Sequence, residues 1–360
     1  MNITEKAKGI IDSCRFCWMC RHVCPIGNAT GQERNTARAR ALGASLVVRG
    51  AQSYDDIKDN LYECALCGAC TNNCMTGWDP KVFVREMRTD LALDGNLPEY
   101  IVKLVENYVN CGNIYGKEPC DCIKPLLDGK KADTLIFLGE DAVIKSPESV
   151  KKVKELLDKA KVGYTFGDLY DSGSSLYFLT GKTAETLAAA KRMADYMNNY
   201  KMVVVYDPVD LSLIKHEFNE WGIDVKTEVI GFNDYLLSLI DGEKLSVNKS
   251  EKEYSLQDHC AYARELDDTV SGRTLIEKVG KNKEMLLIGK EANLAGNLIM
   301  NEYMPEVMSH VAADRWLNAK GMDCKTLVTE NPAEYELLKA NIPDGYRVIS
   351  IEEMILENIK

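Results

Sequence analysis

The residues whose types and spacing could do chemistry are cysteines. Cys14-Arg-Phe-Cys17-Trp-Met-Cys20-Arg-His-Val-Cys24 and Cys64-Ala-Leu-Cys67-Gly-Ala-Cys70-Thr-Asn-Asn-Cys74 both read C-x2-C-x2-C-x3-C. In runs of this spacing three thiolates hold one [4Fe–4S] cluster and the fourth reaches a second one. Two [4Fe–4S] clusters thereby explain eight of the thirteen cysteines. Paired C-x2-C units also suit tetrahedral zinc, but zinc sites seldom use two identical four-cysteine runs. A disulfide framework is disfavoured: the polar start, Met-Asn-Ile-Thr-Glu-Lys, is not a signal peptide, and a cytoplasmic location is expected.

The elements that must position these cysteines are helical. Residues 1–13 read as a short helix entering the first run, and Pro25 turns the chain away after Cys24. Thirty-nine residues separate Cys24 from Cys64, with helical composition from Gln32 to Leu46 and a short amphipathic stretch from Tyr54 to Tyr62. A helix is expected from about Lys81 to Leu93, closed by Asp94-Gly95-Asn96. Trp78 reads as a packing residue of this module, the alternative being a ring that shields a cluster.

The chain's 360 residues allow two or three domains. Boundaries are expected at 1–98 for the cysteine module, 99–130 for a connector, and 131–248 and 249–360 for two α/β halves. Strands are expected at Thr134–Gly139, Met202–Tyr206, Met285–Gly289, Thr326–Thr329 and Arg347–Ser350, with helices between them, which implies parallel βαβ units. Val203-Val-Val-Tyr206-Asp207-Pro208-Val209-Asp210 lines up with Thr326-Leu-Val-Thr-Glu330-Asn331-Pro332-Ala333-Glu334, and Gly222-Ile-Asp-Val-Lys with Gly345-Tyr-Arg-Val-Ile, as an internal duplication predicts. The fold class expected is therefore α+β multidomain, with an N-terminal helical module and duplicated α/β domains built on parallel sheets.

A formal charge of −11 argues against nucleic acid as a partner, and no apolar run reaches membrane-spanning length. Residues 1–50 nevertheless carry +5, leaving −16 for the rest. Arg15, Arg21, Arg34, Arg38 and Arg40 would offset the negative charge of reduced clusters, or simply form a solvated helix face. No G-x-G-x-x-G or Walker loop supports a nucleotide site; Gly181-Lys182-Thr183 fits a helix N-terminus capped by Thr183.

These residues resemble the iron–sulfur subunits that join a helical two-cluster ferredoxin module to tandem cysteine-rich (CCG) domains. That family includes the iron–sulfur subunits of glycolate oxidase and anaerobic glycerol-3-phosphate dehydrogenase and the catalytic subunit of heterodisulfide reductase. The resemblance implies that Cys14, Cys17, Cys20 and Cys74 hold one cluster, and Cys64, Cys67, Cys70 and Cys24 the other. It also exposes a departure. The family's Cys-Cys-Gly and Cys-Pro-x-Cys ligand elements have become Asp171-Ser172-Gly173, Leu294-Ala295-Gly296, Asp207-Pro-Val-Asp210 and Asn331-Pro-Ala-Glu334, and only Cys260 keeps its place. Hard oxygen ligands do not select an iron–sulfur cluster, so the C-terminal halves are expected to carry none and to be a docking scaffold or a cofactor-free remnant.

The function implied is relay of single electrons between an FAD-dependent dehydrogenase, for a 2-hydroxy acid, polyol or sugar acid, and an acceptor such as an electron-transfer flavoprotein, a quinone or another carrier. No catalytic residue is assigned. The alternative is a stand-alone heterodisulfide or thiol-disulfide reductase with an added cluster built from Cys111, Cys120, Cys122, Cys260 and Cys324.

Overall fold

The computed structural model describes residues 3–360. The N-terminal part is all helical among these residues. The Glu5–Ser13 helix is capped by the Thr4 hydroxyl, which accepts from the Ala7 amide. Thr36 caps the Ala37–Val48 helix in the same way. Asp79 caps the Pro80–Leu93 helix, where Pro80 in the first turn loses no helical hydrogen bond. That helix buries Phe83, Val84, Met87 and Leu91 completely, each contributing roughly 1.5–3 kcal/mol through removal from water. The stretch read as a connector opens with a regular helix, Glu99–Cys111, ended by Gly112 in the left-handed conformation.

Two α/β units follow. Strands β1 (Thr134–Phe137), β2 (Thr165–Phe166), β3 (Met202–Val205) and β4 (Glu228–Gly231) form one sheet in the order β2-β1-β3-β4. Strands β5 (Glu253–Gln257), β6 (Lys281–Asn282), β7 (Thr326–Thr329) and β8 (Arg347–Ser350) form the other in the order β6-β5-β7-β8. Every pairing is parallel. The α+β class with parallel sheets holds, and matched strand orders carry the duplication into topology.

Two readings of the α/β halves need correction. Met285–Gly289 is not a strand: Leu286, Leu287 and Ile288 are 46%, 46% and 37% exposed in an irregular segment. The place beside β7 belongs to Glu253–Gln257, a stretch that carries three polar side chains, Glu253, Ser255 and Gln257. Gln257 tolerates burial because its side chain bonds to Glu334 and Arg315. Likewise Gly222–Lys226 is a turn and loop, and the strand equivalent to β8 lies further on, at β4.

The cores join the parts. Val204 and Tyr206 of the first unit pack with Leu256, Val328 and Ile349 of the second. Ile26, Phe83 and Met87 of the helical part share a core with Trp316 and Leu338 of the second unit.

Candidate metal centre

In each cysteine run the chain folds tightly enough to enter the left-handed region twice. Phe16 and Trp18 have φ 51° and 70°; Leu66 and Gly68, at the same places in the second run, have 53° and 73°. Such angles cost a residue with a Cβ energy, so bulky Phe, Trp and Leu persist there only where the surrounding structure fixes them. The result is two matching loops, each curling C-x2-C-x2-C around a hollow.

Cys14, Cys17, Cys20 and Cys74 line one cavity, together with Arg38 and Trp78. Cys24, Cys64, Cys67 and Cys70 line a second, together with Ile26, Arg40 and Val84. Each cavity thus takes three cysteines from one run and the fourth from the other. Among the described residues no three His, Cys, Asp or Glu side chains converge as ligands of a single ion. The sulfurs surround spaces instead, a donor set that suits a polynuclear cluster bound by soft thiolates better than one zinc. Burial, the largest influence, pushes the Cys67 thiol up and the Cys70 thiol well up, and both are raised further by neighbouring cysteines of the same cavity. Cys20 rises for the same leading reason. These thiols are neutral while nothing is bound, so loading iron must release their protons.

The cavities differ in surroundings. The first faces outward: Phe16, Trp18 and Met19 are 42–48% exposed, and Met75 is 89% exposed. Arg38 lies over the Trp18 ring, 3.7 Å from its centroid, while bonded to Glu33. Trp78 forms the inner wall, its indole N–H donating to the Ile10 carbonyl at 2.7 Å. The second cavity is inward. Arg40 donates to the carbonyls of Asn60, Asn35 and Glu63 at 2.7–2.8 Å. Burial works against its charge, but Cys64, Cys24 and Glu63 hold its pKa above the usual value. Of the five arginines singled out, Arg38 and Arg40 border the cavities, Arg34 pairs with Glu63, Arg21 lies over Trp18, and Arg15 lines the outer cavity.

Sequence reasoning missed Arg88 and Arg264. Fully buried Arg88 donates to the carbonyls of Leu61, Cys64 and Phe178 at 2.6–2.7 Å, tying the second loop to the first α/β unit. Arg264 donates to the Cys67 carbonyl at 2.8 Å and to those of Lys290 and Ala292, tying the loop to the second unit. Backbone carbonyls leave no side-chain signature, so no motif announced either contact.

The other five cysteines are dispersed. Cys120 and Cys122 are bonded to each other as a disulfide. Cys111 is exposed at its helix end, and Cys324 is buried against the carbonyls of Lys283 and Glu284. Cys260 stands alone of the five beside the second cavity, burial pushing its thiol up. The five cysteines assigned to the alternative's added cluster are thus not gathered around one cavity, and two of them are bonded to each other.

The ends of the two sheets meet above the second cavity. Asp207 follows β3 and Asn331 follows β7; each caps the helix after it, and Asn331 Nδ2 donates to Asp207 Oδ1 at 3.1 Å. Asp210 accepts the Ser172 and Ser174 hydroxyls at 2.6 Å. Glu334 accepts the Ala295 amide and Gln257. These carboxylate, amide and hydroxyl side chains thus form a polar network satisfied within the chain. Burial raises Asp210 to about 7 and Glu334 to about 8, so their neutral forms are favoured. His259 is held neutral at about 3, by burial and then by Arg264.

Residues 10–78 match the family model of the 4Fe-4S dicluster domain, which supports an iron–sulfur module in this part of the chain. In overall structure it is similar to a hypothetical protein from Helicobacter pylori, with a TM-score of 0.62 over 99% of this chain and 73% of that one. Sequence identity is 11%, so that likeness concerns fold alone. No curated protein matches the chain in sequence. No helix among the described residues is long and apolar enough to cross a membrane.

Proposed function

We propose that the chain is an electron-transfer subunit that relays single electrons through two [4Fe–4S] clusters. Cys14, Cys17, Cys20 and Cys74 would hold the outer one, and Cys24, Cys64, Cys67 and Cys70 the inner one. The observation that carries this reading is the crossed sharing of eight cysteines between two cavities, one facing outward and one enclosed. When bound, such clusters accept and return one electron each, at potentials set by burial and by hydrogen bonds to sulfur.

The chain's own residues supply the rest. The thiolates bind, Arg88 and Arg264 fix the second loop, and Ile26, Trp78 and Val84 keep water from the sulfurs. Arg38 and Arg40 offset the charge that reduction adds. Electrons would enter from, or leave to, a partner seated on Phe16, Trp18, Met19 and Met75, whose exposure supports an outer docking face. The partner that fits the family resemblance is an FAD-dependent dehydrogenase for a 2-hydroxy acid, polyol or sugar acid, with an electron-transfer flavoprotein, quinone or other carrier downstream.

Anaerobic affinity purification of the tagged chain from its native cells tests this. Co-purification of a stoichiometric flavoprotein that reduces the clusters when given its substrate is expected. Iron-loaded chain arriving without flavin, and unreactive toward flavoproteins, would overturn the relay.

A further inference from the structure

Where the two sheets end, a cleft of about 920 Å³, counted with the space at its mouth, opens between both α/β units and the cysteine module. Its floor is shared with the inner cysteine cavity through Ala65 and Leu66. In open parallel sheets the crevice at the carboxyl ends, between strands whose connections run opposite ways, is where ligands bind. Here two such points, β1/β3 and β5/β7, face one space.

The polar groups around this space are unevenly committed. The acceptors are already used: Asp207 by the Val209 amide and Asn331, Asp210 by two serines, Asp141 by the Tyr115 hydroxyl, and Glu265 by Lys81. Donors remain. Arg85 lies on the Tyr177 ring, 4.8 Å from its centroid, and reaches Glu217 only at 3.4 Å, while its buried Nε has no partner among the described residues. His259 is 3% exposed; its Nδ1 accepts the Ala261 amide, so Nε2 carries the proton, and among the described residues the one hydrogen-bond contact of Nε2 is Cys260 Sγ at 3.9 Å. Asn297 uses Oδ1 to cap its helix on the Met300 amide, and its Nδ2 has no protein partner among the described residues. Phe178, Leu66 and Leu294 add an apolar wall.

From this arrangement we infer that the cleft binds a small organic monocarboxylate, its carboxylate on Arg85 and its carbon chain on the Phe178 wall, with the His259 and Asn297 N–H groups turned toward its oxygens. An arginine fork suits a planar carboxylate. A dianionic phosphate would meet repulsion from Glu217 and find only one arginine. This binding does not depend on the electron-relay reading and is tested by occupancy rather than turnover.

The experiment is anaerobic titration calorimetry of the iron-loaded chain with straight-chain acids from propionate to octanoate, and with hexanamide as the neutral counterpart of hexanoate. One saturable site per chain is expected, with hexanamide at least about tenfold weaker than hexanoate. Loss of the charged hydrogen bonds in Arg85→Gln should weaken hexanoate roughly tenfold to a hundredfold. Asn297→Asp, which keeps the helix cap while exchanging the donor for a negative charge, should weaken it in the same sense and provides the test if Arg85→Gln does not fold. Absence of binding by every acid, equal binding of the amide, or hexanoate affinity unchanged in the folded variant overturns the inference.

Discussion

At the scale of residues, the two cysteine runs were fully legible, because C-x2-C-x2-C-x3-C is a local pattern that the chain cannot hide. Which cysteine crosses to which cavity came to the sequence only by resemblance, and the two four-cysteine cavities carry the same partition. It has a sharp consequence. Cys24→Ser should perturb the cluster of the second run more than that of its own, and Cys74→Ser the reverse, which EPR of the two reduced centres can separate. Perturbation of only the run's own cluster would contradict the crossing. Arg88 was illegible, since its partners are main-chain oxygens. Arg88→Met strands the carbonyls of Leu61, Cys64 and Phe178 and should destabilise the protein by about 3 kcal/mol or more, read as a lowered denaturation midpoint under anaerobic conditions. An unchanged midpoint would mean that these bonds are dispensable.

At the scale of elements, a helix with a capping residue and sharp apolar periodicity was legible: Pro80–Leu93, expected from about Lys81 to Leu93, begins at the Asp79 cap and ends at Leu93. Strands were harder. The apolar run at Met285–Ile288 carried the composition of a strand without the position of one, whereas Glu253–Gln257 is a strand whose polar side chains find buried partners. Periodicity sees polarity but not the partners that make polarity tolerable. The cysteine loops make a prediction at this scale. Gly68 sits at φ 73° with only ordinary contacts around a built Cβ, so Gly68→Ala should cost about 1–2 kcal/mol through backbone strain alone and leave the iron content intact. Loss of half the iron would show instead that the glycine is needed for close approach to the cluster.

At the scale of the molecule, the duplication that the sequence displayed in two Pro-containing motifs is a pair of sheets with the same strand order, whose ends meet where the Asn331 amide donates to the Asp207 carboxylate. That junction makes stability depend on pH. Burial raises Asp141 to about 6, Asp210 and Glu352 to about 7, and Glu330 and Glu334 to about 8, whereas unfolded carboxyls titrate near ~4. A raised acid favours the folded state fully below ~4, and that contribution is lost as pH climbs through the folded values, here 6 to 8. Stability should therefore fall between pH 6 and 8.5, and Asp210→Asn should lessen that fall by on the order of 1 kcal/mol, measured by anaerobic denaturant unfolding. An identical slope in the variant would remove Asp210 from the account.

The central claim is tested most directly by anaerobic iron analysis combined with a reductive EPR titration of the purified chain. Two cubanes predict about eight irons per chain and two one-electron centres that reduce and reoxidise reversibly. Zinc in place of iron, about four irons, or clusters that cannot be reversibly reduced would contradict the electron relay.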